Sequence, residues 1–115
     1  MIDNAQSKDV SGQVLAEVKL GNKWGYIDKT GKYVIDLQFD YAGAFREGLA
    51  VVLVDGKEGY IDRAGRFVIK PQFDYKTLGF SEGFAVVRIG KKYGYIDNWG
   101  KYVINPQFDE TWGFM

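Results

Sequence analysis

The chain contains neither cysteine nor histidine. The first absence removes disulfide staples and thiolate chemistry. The second removes the commonest general base and metal ligand. Net charge is lacking too: 15 lysines and arginines balance 15 aspartates and glutamates, so no global field draws the chain to nucleic acid or to an anionic membrane. No run of 18 apolar residues occurs, which excludes a membrane-spanning helix and leaves no expectation of membrane insertion. Residues 1–11 hold no apolar stretch of the kind a signal peptide uses. Residues 1–13 are polar and aperiodic, and are expected to form a flexible lead-in.

What the chain has instead is glycine, at 15 positions, and aromatic residues, at 17%. That pairing suits aromatic strands joined by tight turns rather than helices. A chain of 115 residues suits one domain and hides roughly two-thirds of its unfolded surface, enough for a core without staples. The organising feature is a repeat. Lys23-Trp24-Gly25-Tyr26-Ile27-Asp28 returns as Lys57-Glu58-Gly59-Tyr60-Ile61-Asp62 and again as Lys92-Tyr93-Gly94-Tyr95-Ile96-Asp97. The spacing is 34 and then 35 residues, a period that marks repeat architecture.

Each copy reads as three strands. The first covers residues 14–20, 49–54 and 84–89, and its side chains alternate between two faces. One face carries Ala16, Val18 and Leu20, then Ala50, Val52 and Val54, then Ala85, Val87 and Ile89. It is apolar in every copy and is expected to face the core. The other carries Leu15, Glu17 and Lys19, then Leu49, Val51 and Leu53, then Phe84, Val86 and Arg88. Charges in the outer copies and none in the middle predict a stack in which only the central copy is covered on both sides.

The pairs Gly21-Asn22, Asp55-Gly56 and Gly90-Lys91 lead into the second strand and suit type I′ or II′ hairpin turns. The face of that strand bearing Trp24, Tyr26 and Asp28 is expected to be partly wet, because position 24 becomes Glu58 and Tyr93 in the other copies. An Asp-x-x-Gly link follows, at Asp28 to Gly31, Asp62 to Gly65 and Asp97 to Gly100. The carboxylate of such an Asp accepts the backbone N–H two residues on, and the glycine supplies a left-handed residue. The third strand covers residues 32–35, 66–69 and 101–104, with Tyr33, Phe67, Tyr102, Ile35, Ile69 and Ile104 as core candidates. Pro71 and Pro106 lack a ladder donor and are expected to end it. Phe39, Phe73 and Phe108 in the connectors are expected to plug the core between units.

The expected fold is all-β: tandem three-stranded antiparallel meanders over residues 14–36, 48–70 and 83–105. They form one domain of three units, 14–47, 48–82 and 83–115. The units either stack as an open, solenoid-like row or curl into a compact pseudo-symmetric barrel, and stacking is the preferred reading.

The blocks Lys-Trp-Gly-Tyr-Ile-Asp, Gly-Lys-Tyr-Val-Ile, Pro-Gln-Phe-Asp and Phe-x-Glu-Gly-Leu-Ala resemble the bacterial WG-repeat family, also called KWG repeats. The resemblance covers residues 14–114 and departs from the family at Glu58 and Tyr93, which replace the tryptophan kept as Trp24, and at Leu37, where the family favours proline. The turn glycines are intact. The resemblance implies a non-enzymatic β-repeat of the kind found in tandem arrays. It supplies an architecture rather than an activity.

The acids and aromatics read as structure first. Asp28, Asp62, Asp97, Asp40, Asp74 and Asp109 each stand alone beside a turn, whereas a calcium loop needs several oxygens in one short segment. Turn capping explains them, and no metal or cofactor is expected. Glu47 and Glu82, each before a glycine, read as local hydrogen-bonding groups. Acids copied in every repeat offer no pair with divergent pKa values for hydrolysis, and no Ser-His, Cys-His or phosphate-loop pattern occurs. An enzyme is not expected. The residues that differ between copies are the candidates for binding a partner: Trp24, Glu58 and Tyr93 at one repeat position, Trp99 at a turn tip, Trp112 in the last connector, and Arg88. For Trp99 and Trp112, packing on a neighbouring unit is the alternative to binding. The leading reading is a protein-interaction or assembly module, whose partner is another protein or a second copy. A glycan or cell-wall binder using exposed Trp and Tyr is the alternative. A single-stranded nucleic-acid platform is disfavoured by zero net charge and scattered lysines.

Overall fold

The computed structural model describes residues 14–75 and 77–111, and among these ten strands form where the alternating apolar residues lie. The first unit contains β1 (Ala16–Leu20), β2 (Lys23–Ile27) and β3 (Tyr33–Phe39). The second contains β4 (Tyr41–Ala42), β5 (Ala50–Val54), β6 (Lys57–Ile61) and β7 (Phe67–Phe73). The third contains β8 (Phe84–Ile89), β9 (Lys92–Asp97) and β10 (Tyr102–Phe108). Each unit is one antiparallel sheet, in the orders β1-β2-β3, β4-β5-β6-β7 and β10-β9-β8. No helix occurs among the described residues. The expected lead-in, residues 1–13, and Trp112 lie outside them.

The turns follow the sequence closely. Asp55 and Gly56 both take positive φ, 50° and 83°, as a type I′ hairpin requires. In the Asp-x-x-Gly links, one Oδ of Asp62 accepts the N–H of Ala64 at 2.9 Å and that of Arg66 at 3.0 Å. Gly65 closes the link at φ 87°. Asp28 and Asp97 repeat the arrangement.

The third strand departs from expectation. Proline does not end it: β7 and β10 run through Pro71 and Pro106 to the phenylalanines. Ladder partners jump from Tyr60↔Ile69 to Glu58↔Phe73, so β7 carries two extra residues there. This bulge lies on a strand at the end of its sheet's order, where a missing donor is tolerated. It also explains the repeated glycine of the second strand. A methyl group on Gly25, Gly59 or Gly94 would stand 2.6 Å from the carbonyl oxygen of Ile35, Ile69 or Ile104. Only a residue without Cβ lets the bulged backbone cross at that distance. A second irregularity, between Tyr60↔Ile69 and Ile61↔Phe67, breaks the alternation. It places Tyr33, Phe67 and Tyr102 at the surface while Ile35 and Ile69 stay buried; the three aromatics expected in the core are therefore outside it.

The units stack as an open row, 47 × 31 × 20 Å in extent. Two cores lie between consecutive units. One joins Leu15, Tyr26, Ile35 and Phe39 of the first unit to Ala42, Ala50, Val52 and Ile61 of the second. The other joins Leu49, Val51, Tyr60, Ile69, Phe73 and Phe80 to Ala85, Val87 and Ile96. The central sheet is thus covered on both faces, as expected. The outer faces differ from the reading for the first unit. Ala16, Val18 and Leu20 point away from the stack, and Leu15 on the opposite face enters the core. Stacking has one polarity, so the face that meets the preceding unit in copies two and three is the open face in copy one. The Trp24 and Tyr26 face is not wet at the tyrosine. Tyr26 and Tyr60 are buried, and their hydroxyls donate to the carbonyls of Gly43 and Leu78, each at 2.5 Å.

The connectors tie the stack together. β4 adds to β5, and the same connector one unit on donates from Asp74 N to Arg88 O and from Leu78 N to Val86 O, beside β8. Each connector therefore leaves one sheet and extends the next. Phe39 and Phe73 plug the two cores as expected, but Phe108 is 42% exposed where they are each 1%. Glu47 is not a local capping group. Its carboxylate accepts the N–H of Glu82 at 2.7 Å and of Gly83 at 2.9 Å, one whole unit away, because stacking brings the two equivalent turns side by side. Asp40 and Asp74 also reach beyond their own turns. Asp40 holds Lys23 at 2.7 Å and accepts the N–H of Asp55 at 3.0 Å in the next unit's hairpin. Asp74 holds Lys57 and accepts from Gly90 in the same way, each at 2.6 Å.

Candidate functional site

One position at which all three copies differ lies on β2, β6 and β9, two residues before the buried tyrosine. In the first unit it is Trp24, which packs edge-on against Tyr41 with ring centroids 5.2 Å apart. In the second it is Glu58, a much smaller side chain, and there a cavity of about 590 Å³ opens. Tyr41, Tyr75 and Tyr93 line it together with Glu58, Glu110 and Thr111. Glu58 is only 2% exposed, and its Oε1 accepts the N–H of Thr77 at 2.9 Å. Thr77 is buried and its hydroxyl donates to Asp74 O at 3.1 Å. The buried Glu58 carboxyl is thus held by a backbone N–H of the connector, and Thr77 is itself fixed to that connector by its hydroxyl.

The rigid framework beneath this groove comes from the repeat. Tyr60 stands on the same face of β6 as Glu58, against Phe73 and Phe80 with centroids 6.3 and 4.9 Å away. Burial pushes its hydroxyl far above the usual tyrosine range, with the Glu58 charge adding to the effect, so it is a neutral donor at any physiological pH. Tyr95 hydrogen-bonds Thr111 through the two hydroxyls and anchors the last connector at the groove. Tyr41 and Tyr75 are exposed and Tyr93 half-buried, so all three leave surface accessible to a ligand. Such rings offer apolar contact area with a polar tip, and the two carboxylates offer acceptors.

The candidate residues from the sequence separate. Glu58 and Tyr93 meet in the groove, and Trp24 touches it through Tyr41. Arg88 is engaged with the connector beside its own strand. Its guanidinium donates to Tyr75 O at 2.7 Å and Gly90 O at 2.6 Å, fixing the connector. Trp99 is 80% exposed at its turn tip and packs on no neighbouring unit among the described residues. Tyr41, Tyr75 and Glu110 were not singled out by sequence reasoning. The available signal was that Tyr41 and Tyr75 each follow a repeated aspartate, at a place that becomes Glu110 in the third copy.

Three stacked β-meanders with a variable groove along one side define a tandem β-repeat protein. The family model described as the WG containing repeat matches residues 24–57, 59–93 and 93–114. The chain belongs to this family, and each match begins at or just after the variable position. No curated protein and no solved structure is similar enough to the chain to count as a match.

Proposed function

We propose that this protein is a non-enzymatic interaction module that binds an extended segment of a partner protein in the groove at Glu58. The observation that carries this reading is the cavity itself: it opens where the copies diverge, on a framework that they share. Tyrosines on a rigid scaffold supply contact area at low entropic cost, as interface hot spots do. Selection from a random peptide library tests it, with Tyr75→Ala and Tyr93→Ala as counter-screens. Selected peptides are expected to lose tenfold or more in affinity for Tyr75→Ala, whose side chain is exposed and not part of the core. Peptides that bind both variants like the parent overturn the reading.

A glycan-binding reading is favoured by one observation, the exposed indole of Trp99 beside Asn98. A glycan array probed with the parent and with Trp99→Ala separates it from the first. Binding that vanishes with Trp99 and survives Tyr75→Ala supports the glycan reading.

A further inference from the structure

Each internal junction has two matched halves. The earlier unit contributes the face with Ile35 and Phe39, or Ile69 and Phe73. The later unit contributes Ala50, Val52 and Ile61, or Ala85, Val87 and Ile96. Both halves recur at opposite ends of the row, and among the described residues neither is covered by a further unit. The first unit presents Ala16, Val18, Leu20 and Ile27, with Leu20 66% exposed. The third presents Ile104 and Phe108, neither of them buried as their counterparts are.

The sheet edges show the same complementarity. β5 is extended by β4 through Tyr41↔Leu53 and Ala42↔Val52. β1 is the corresponding strand of the first unit, and among the described residues its outer edge carries no further strand. The connector that begins at Asp109 corresponds to β4, and its described residues, Asp109 to Thr111, lie in no sheet. One end of the row needs a strand, and the other end offers one.

We propose that a second copy of this chain docks head to tail, its β1 face and edge covering the third unit and the connector after it. The internal junctions give the register. Glu110 stands opposite Lys19 of the second copy, as Tyr41 stands opposite Leu53. Gly31 of the second copy sits on Ile104, as Gly65 sits on Ile35 and Gly100 on Ile69, where an added methyl would meet the isoleucine at 3.4 and 3.1 Å. Asp109 already holds Lys92 at 2.5 Å, and its other oxygen takes the N–H of Gly21 of the second copy, as Asp40 and Asp74 take those of Asp55 and Gly90. Lys19 and Glu110 are exposed in the single chain, and opposite charges facing each other across a strand pair favour that register. The contact joins unlike faces, so it is heterologous and propagates into a ring or an open row.

Sedimentation velocity of the full chain across a range of concentrations tests this, using Lys19→Glu, Glu110→Lys, the double variant, and an equimolar mixture of the two single variants. The parent is expected to sediment faster as concentration rises. Each single reversal places like charges in register and is expected to weaken association at least tenfold, while the double variant and the mixture recover it. A parent that stays monomeric at every concentration overturns the proposal; a different protein, or residues 1–13, then covers the open face. Single reversals that associate like the parent overturn it as well. The groove reading is tested on Tyr75 and stands or falls separately.

Discussion

A Cβ added to Gly59 would stand 2.6 Å from the carbonyl oxygen of Ile69 and 2.7 Å from the nitrogen of Pro71. Both neighbours are backbone, so nothing flexible can give way. Gly59→Ala is expected to cost about 3 kcal/mol, the upper part of the range for overpacking. Gly43→Ala, where the nearest atom is 3.6 Å away and φ is ordinary, is expected to cost under about 0.5 kcal/mol. Denaturant midpoints of the two variants check this, and equal losses would refute the packing account of the repeated glycine.

Glu47 and Glu82 are the same residue in consecutive units, yet only Glu47 has the next unit's turn beside it among the described residues. Glu47→Ala is expected to lower stability by about 1 kcal/mol, and Glu82→Ala by clearly less. Equal effects would mean that the clamp between units contributes nothing.

The hydrogen bond and charge of Lys57 hold the Asp74 carboxyl below the usual carboxylate range, and the N–H of Gly90 adds to this. A carboxyl with a lowered folded pKa stabilises the fold above its unfolded value, and that contribution is lost as pH falls through the folded value. The stability gap between parent and Asp74→Asn is therefore expected to be constant at neutral pH and to close below about pH 4. Urea titrations at stepped pH measure it. A gap that persists unchanged in acid would show that the ion pair is not its source.

Tyr60 and Tyr26 behave in the opposite sense. Burial raises both hydroxyls, so the folded chain keeps protons that the unfolded chain releases above about pH 10. Their stabilisation is complete below that pH and declines above it, by about 1.4 kcal/mol per pH unit for each tyrosine. Tyr60→Phe is expected to be less stable than the parent at neutral pH, by about 1 kcal/mol for the lost bond to Leu78, and to lose less on going to alkali. Parallel alkaline melting curves for the two proteins would contradict this.

Much of the architecture was legible because it is local. Turn residues declare themselves: Asp55-Gly56 and the Asp-x-x-Gly links adopt the conformations that their chemistry demands, within a few residues of chain. The spacing of the repeat announced three sheets. The groove was half legible, since Glu58 and Tyr93 were marked by their divergence, but Tyr41 and Tyr75 reach it from two different connectors, 34 residues apart.

The sequence by itself determined the three meanders, their hairpins, the left-handed glycines and the phenylalanine plugs Phe39 and Phe73, but not the short connector strand β4. Those depend on side-chain alternation and on φ, which neighbouring residues set. Only the tertiary structure decided which face of the first unit is open, why Gly25, Gly59 and Gly94 must lack a Cβ, and that Glu47 clamps a turn 35 residues away. Each of these depends on what the next unit places against the residue. An open face and a covered face can carry the same amino acids, as Val18 and Val52 do; stacking alone tells them apart.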